Sequence, residues 1–124
     1  IRDRYCWTSI PGYSKMGGYT GNGSSDGPYV EIGFKPAWLL IKADLSESWY
    51  LYDNKRNTSN VVNKQVRTDH DYAEGTFTTA DFLSNGFKLR QTDSAVNQSG
   101  SSYFYIAFAE QSGITPFDTF PNAR

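Results

Sequence analysis

The feature that most constrains the fold of this chain is the spacing of its turn-forming residues. Gly, Asn, Ser and Asp recur at intervals of about eight to twelve residues along the whole sequence. Apolar residues at the helical spacing i, i+3, i+4, i+7 do not persist in any segment. This rhythm is typical of short strands joined by hairpins, so it predicts an all-β domain without helices.

Individual segments have the composition and alternation of strands. Ala37 to Ile41 is apolar at every position, which predicts a central strand covered on both faces, with Trp38 in the core. Trp49 to Asp53 follows a short polar connection and is expected to pair back on it as a hairpin. Ser84-Asn85-Gly86 predicts a tight hairpin turn, because Asn-Gly tolerates the positive φ of primed turns.

The number and length of these segments predict the architecture. Tyr103 to Ala109 is the last strand, and about eight short strands fit between it and the start of the chain. Antiparallel strands in this number favour a β-sandwich of the jelly-roll or concanavalin-like type. We assign residues 1–112 to a single sandwich domain and residues 113–124 to a tail or linker.

Composition and charge argue against several classes of protein. The chain has 124 residues and a formal net charge of −1, so it has no bulk attraction to nucleic acid. It contains no apolar run long enough to span a membrane. Cys6 is the only cysteine, which excludes an intrachain disulfide, fits synthesis in a reducing cytoplasm and predicts a small buried side chain beside Trp7. Because the first residue is Ile, we expect a fragment or a processed chain.

No group of residues in the sequence predicts catalysis or a cofactor. His70 is the only histidine, lies in a charged loop and lacks partner ligands nearby in sequence. No Gly-x-Ser-x-Gly nucleophile motif is present, and the carboxylates lie in polar loops. The oxygen-rich segments Asp44 to Ser48 and Asp69 to Asp71 would suit calcium, but neither matches an EF-hand. We therefore expect a protein that is not an enzyme and has no cofactor.

Aromatic residues make up 16% of the chain, with nine Tyr, eight Phe and three Trp, and they admit two interpretations. Exposed rings beside polar side chains are typical of sugar-binding and protein-binding surfaces. On this interpretation the ligand or interface candidates are Trp49, Tyr50, Tyr52, Asp53, Arg56 and Asn57. On the other interpretation most of the rings fill the core or a subunit interface.

Five blocks of the sequence, in this order, resemble a known kind of domain. They are Tyr19 to Gly27, Gly33 to Lys42, Trp49 to Arg56, Asp81 to Lys88 and Tyr105 to Glu110. Together they resemble a β-rich structural domain of tailed bacteriophages and marine viruses, often attached to tail fibres. The ends of the chain resemble it less clearly.

The resemblance implies a non-enzymatic domain of a virion surface, in a tail fibre, an appendage or a capsid decoration. Its expected partners are other virion proteins and copies of itself, with a trimer as the fibre form, and a host-surface glycan. The protein would be made in the bacterial cytoplasm and would act on the virion surface. A lectin-like carbohydrate-binding module is the alternative function, and a polysaccharide depolymerase is the third.

Overall fold

The structure is a computed structural model and describes residues 6–110. Within that range the fold is all-β, and no helix is long and apolar enough to cross a membrane. The strands are β1 (Ser14–Thr20), β2 (Tyr29–Glu31), β3 (Pro36–Ala43), β4 (Trp49–Asp53), β5 (Val62–Arg67), β6 (Gly75–Leu83), β7 (Gly86–Leu89) and β8 (Ser102–Ala109).

The eight strands form one antiparallel sheet in the order β1-β8-β3-β4-β5-β6-β7-β2. The sheet curls into a nearly closed barrel, with β1 and β2 as its edge strands. The prediction of an all-β fold with about eight antiparallel strands is confirmed, and so is the hairpin between β3 and β4. The sandwich type stays a prediction at this point.

The core lies on the inner side of the curled sheet. Leu39 and Ile41 of β3 are fully buried there, together with Tyr52 of β4 and Phe87 of β7. The hydroxyl of Tyr52 donates a hydrogen bond of 2.9 Å to Oε1 of Gln65, and burial raises the pKa of this tyrosine. Rings from distant strands therefore meet inside one barrel.

The outward neighbours of these core residues correct one expectation about β3. Trp38 and Leu40 point away from the core and are only partly buried, because side chains alternate across a strand. The prediction that Trp38 lies in the core is wrong. β3 does lie in the sheet interior, but its second face is not covered by a further layer of the described residues.

The environment of Cys6 corrects a second expectation. The prediction that Cys6 is a buried side chain is wrong, since its thiol lies on the surface. The segment around it runs outside edge strand β1, where Ser9 Oγ accepts a hydrogen bond of 3.1 Å from the backbone N–H of Met16. A residue beside an edge strand has few neighbours, and this position explains the exposure of the thiol.

The hairpin between β6 and β7 lies where the sequence predicted it, but the reason for its glycine differs from the predicted one. Leu83 pairs with Gly86 across the two-residue turn. Gly86 is not among the glycines with positive φ. A Cβ at this position would instead overlap the backbone carbonyl of Val30 on β2. Glycine is required here for the close approach of a neighbouring strand.

Candidate functional site

The outward side chains of β1, β8, β3, β4 and β5 form a continuous apolar surface, which we call the outer face. Its central row crosses these five strands in register and contains Met16, Ile106, Leu40, Leu51 and Val66. Every member of the row is aliphatic or a thioether. A strand face in contact with water normally carries polar side chains at such positions.

Aromatic rings flank the central row on both sides. On one side Trp38 contacts Phe108, with ring centroids 5.4 Å apart and planes inclined by 60°. On the other side Phe104 and Trp49 are 46% and 39% exposed. Trp7, which is 58% exposed, lines the same surface from the N-terminal segment. The rings enclose an open groove with a volume of about 670 Å³.

The outer surface on the other half of the sheet carries charged side chains, as a sheet face in contact with water normally does. There Asp81 of β6 is in register with Lys88 of β7, and Arg90 Nε lies 2.6 Å from Asp81 Oδ2. Lys88 Nζ also lies 2.9 Å from Asp26 Oδ1, and this hydrogen bond lowers the pKa of Asp26. One half of the sheet is thus charged and the other apolar, so the outer face is a local feature of this fold.

The charged groups at the rim of the outer face are already engaged. Lys42 Nζ donates hydrogen bonds of 2.7 Å and 2.9 Å to the carbonyls of Ala43 and Leu45. Asp53 forms an ion pair with Arg56. These contacts draw the charges toward the loops and leave the groove lined by apolar side chains. Such a surface is suited to burial against another apolar surface.

The structure places the predicted aromatic candidates on opposite faces of β4. Trp49 lies on the outer face, whereas Tyr50 and Tyr52 point into the core and are 5% and 0% exposed. The guanidinium of Arg67 lies 5.7 Å from the centre of the Tyr50 ring. A ligand on the surface of this protein cannot contact Trp49 and Tyr52 together. For these two tyrosines the interpretation as core residues is confirmed.

The polar candidates shape the loop that follows β4. Asp53 Oδ1 accepts hydrogen bonds from the backbone N–H groups of Lys55 and Arg56 at 3.0 Å and 2.8 Å. Arg56 Nε in turn lies 2.9 Å from Glu74 Oε2. These are contacts within the chain that hold the loop in place. The role of the two residues in ligand contact stays a prediction.

Asn57 has the same structural role in the second half of this loop. Its Oδ1 accepts hydrogen bonds from the backbone N–H groups of Asn63 and Lys64 at 2.9 Å and 2.7 Å. The side chain thereby anchors the loop to the start of β5. A contribution of Asn57 to ligand binding stays a prediction as well.

The same loop borders a second, polar pocket of about 560 Å³. Its wall carries Lys55 and Glu110, whose ion pair lowers the pKa of the Glu110 carboxyl, and the nearby Lys35 acts in the same direction. The hydroxyl-bearing residues Thr58 and Ser59 line it as well. The pocket therefore combines charges of both signs with hydroxyl groups.

The predicted calcium loops have few acidic neighbours. Within residues 6–110 no three His, Cys, Asp or Glu side chains are grouped closely enough to hold a metal ion. Asp69 Oδ1 accepts a hydrogen bond of 3.3 Å from the backbone N–H of Trp49, and His70 stacks on Tyr72. The expectation of a protein without a cofactor, with calcium as its alternative, stays a prediction.

Sequence reasoning missed most of the outer face. A signal was present, since Ala37 to Ile41 is apolar on both faces and Phe104, Ile106 and Phe108 share one face of the last strand. The missing information was strand order and register. Only the pairing of β8 with β3 brings Ile106 beside Leu40 and Phe108 beside Trp38.

Comparison with known proteins yields one family. No curated protein and no solved structure matches the chain. The profile of one family, described as Domain of unknown function (DUF7483), matches residues 4–112. This description carries no function, so the resemblance to virion domains stays a prediction, as does the tail at residues 113–124, which lies outside the described residues. Since the match spans most of the sequence and every described strand, the chain belongs to the DUF7483 family.

Proposed function

We propose that this protein is a non-enzymatic assembly domain of a virion surface, in a tail fibre, an appendage or a capsid decoration. The observation that carries the proposal is the outer face. It presents five aliphatic or thioether side chains in one row, flanked by aromatic rings, on a sheet whose other half is charged. Exposure of such an apolar surface to water is unfavourable in free energy, and surfaces of this kind are typical of protein–protein contacts.

The dimensions of the outer face support this function. Five strands about 4.8 Å apart and three rows of side chains about 7 Å apart give the outer face a total area on the order of 500 Å², which includes the polar positions of the flanking rows. The largest apolar patch on a typical monomer is about 300–600 Å² and is often functional. Burial of the apolar part of this area stabilises a contact by roughly 25 cal/mol for each Å², before the costs of association are subtracted. The area is sufficient for a specific interface.

We also propose that the domain is a β-sandwich with two layers. The strands β1-β8-β3-β4 and β6-β7-β2 would be its two layers, of the jelly-roll or concanavalin-like kind, with β5 between them in the strand order. Rings that meet between the halves support it: Phe87 of β7 lies edge-on to Tyr105 of β8, with centroids 5.4 Å apart. The same two rings pack against Tyr19 of β1. A shared core between two layers is the hallmark of sandwiches.

Labelling of intact particles tests the virion assignment. We expect an antibody against this domain, visualised by electron microscopy, to decorate particles from cultures that encode the chain. Label at the tail tip would indicate attachment, and label over the capsid or along a filament would indicate decoration. Particles that contain the chain by mass spectrometry serve as the positive reference. Absence of the chain and of label from all particles would contradict the proposal.

Carbohydrate binding is the second candidate, and the polar pocket beside the β4–β5 loop favours it. Hydroxyl and charged groups around a concave site can bind the hydroxyls of a sugar. We expect a host-surface glycan to bind with a Kd between millimolar and micromolar, and Thr58→Val to weaken it at least tenfold. Trp49→Ala on the outer face is the matched variant, measured by titration calorimetry. If glycan binding is lost in Trp49→Ala and kept in Thr58→Val, the glycan binds to the outer face and not to the polar pocket.

A further inference from the structure

We infer that the outer face is covered by the same face of a second copy of this chain, related by a twofold axis that runs across the strands. This inference rests on the proposed assembly function and names the partner. The two sheets would pack face to face about 10 Å apart, as the layers of a sandwich do. Each chain would supply one apolar layer.

The size of the outer face agrees with a pair of identical chains. A stable interface buries about 800 Å² per partner, with an apolar centre and a polar rim. The whole outer face is on the order of 500 Å², and polar residues lie around its apolar centre. Ser14 of β1 and Asp53 of β4 end one flanking row, and Lys42 lies in the other. The surface is therefore at the lower end of the size that a symmetric dimer needs.

The arrangement of rows makes this surface complementary to itself. With the twofold axis along the central row, Leu40 and Ile106 of each copy meet their counterparts. The flanking rows exchange places, so that Phe104 of one copy faces Phe108 of the other and Lys42 faces Trp38. Aromatic pairs are favourable contacts, and the alkyl stem of Lys42 can pack on a ring while its ammonium stays bonded to the loop carbonyls. Every outward position of β8 and β3 thus meets a suitable partner.

An axis parallel to the strands is less favourable. It would pass near β3, the middle strand of the five, and would bring the two copies of Lys42 together. It would also place Asp53 of one copy against Phe108 of the other. Like charges in contact and a carboxylate on a ring are both unfavourable. The axis across the strands keeps the two copies of Lys42 apart. It places Asp53 of one copy opposite Trp49 of the other, with Asp53 paired to Arg56 of its own chain.

Edge-to-edge pairing is a weaker alternative to face-to-face packing. The outer edge of β1 is occupied near its middle, where the N–H of Met16 donates to Ser9 Oγ. Strand β2, the other edge, is only three residues long. Short or covered edges resist the addition of a foreign strand. The outer face, by contrast, is a continuous apolar surface that extends over five strands of the described part of the chain.

Sedimentation of the complete chain tests this inference. We expect a concentration-dependent shift from the chain mass of 14.0 kDa toward twice that mass, with a Kd in the micromolar range, as for interfaces at the lower end of the size scale. Phe104→Asp and Leu40→Asp are each expected to weaken the association at least tenfold, because they bury a carboxylate between two apolar faces. Tyr29→Asp, at an exposed aromatic position on the charged half, is the matched control and should leave it unchanged.

The remaining outcomes overturn the inference. If the chain stays monomeric up to about 200 μM, it does not form a dimer with the expected micromolar Kd. If its tryptophans are then shielded from iodide, the outer face is covered by the chain's own terminal residues. Dimers that persist in both aspartate variants, shown to be folded by circular dichroism, use another surface. The virion proposal is judged separately, since particles can be labelled whether or not the isolated chain dimerises.

Discussion

Replacing Asn97 with alanine is expected to lower the free energy of unfolding by about 3–5 kcal/mol. The side chain is 0% exposed and forms hydrogen bonds with two loops of the fold. Its Nδ2 donates to Ser24 O at 2.7 Å and to Gln91 O at 2.8 Å, and its Oδ1 accepts from the N–H of Asn22 at 2.9 Å. Alanine would remove all of these part-buried hydrogen bonds at once.

The position of Asn97 in the fold explains why the effect should be large. The loop at residues 21–28 joins the two edge strands of the sheet, β1 and β2, and the loop at residues 90–101 packs against it. The backbone contributes as well, since Gly23 N–H donates to Asn97 O at 2.9 Å. Asn97 therefore holds together the two loops that span the open side of the barrel. Its loss is expected to loosen both edges at once.

Chemical denaturation of three variants measures this effect. Asn97→Asp should be nearly as destabilising as Asn97→Ala at neutral pH, because a carboxylate cannot donate to the two carbonyls and faces them as a second acceptor. Gln98→Ala, at an exposed amide one residue further, is the control and should change stability by less than about 0.5 kcal/mol. An Asn97→Asp protein as stable as wild type would show that the donated hydrogen bonds contribute little.

Local patterns in the sequence were sufficient to predict the elements of this fold but not their neighbours. The alternation in Phe87 to Arg90 correctly separates inward from outward side chains, and that in Tyr103 to Ala109 separates the two faces of the last strand without indicating which one is buried. Asn97 lies in a stretch rich in Ser, Gly and Asn that predicts only a connection. Which amide of such a stretch is buried depends on contacts with residues more than seventy positions away. Composition carries no information on such contacts.

The candidate site shows the same limit. Residues that are adjacent in sequence, such as Trp49 and Tyr50, were grouped as one ligand surface although a strand directs them to opposite faces. The outer face instead joins residues from five strands that are distant in the sequence. Its existence depends on sheet order, which follows from long-range pairing. A single sequence constrains local pattern far better than it constrains such pairing.

Replacing Gly86 with alanine is the second change for which we expect a large loss, of about 2–4 kcal/mol. The new Cβ would overlap the carbonyl oxygen of Val30, so β2 would have to move away from β7. Strand β2 is an edge strand of three residues and pairs only with β7. A shift would therefore break the pairing of Val30 with Phe87 and expose both side chains to water.

Two measurements separate this steric effect from a general intolerance of substitution near the turn. Gly33→Ala is the matched control, because a Cβ there meets no atom within 4 Å but the residue has a φ of +85°. Its expected cost is about 1 kcal/mol, from the backbone conformation alone. Hydrogen exchange adds local detail: the N–H of Ile32 donates to Asn85 O at 2.8 Å and should lose protection in Gly86→Ala. Equal costs for the two substitutions, with Ile32 still protected, would mean that β2 accommodates the methyl group and that the tight approach of the strands is not what holds this edge.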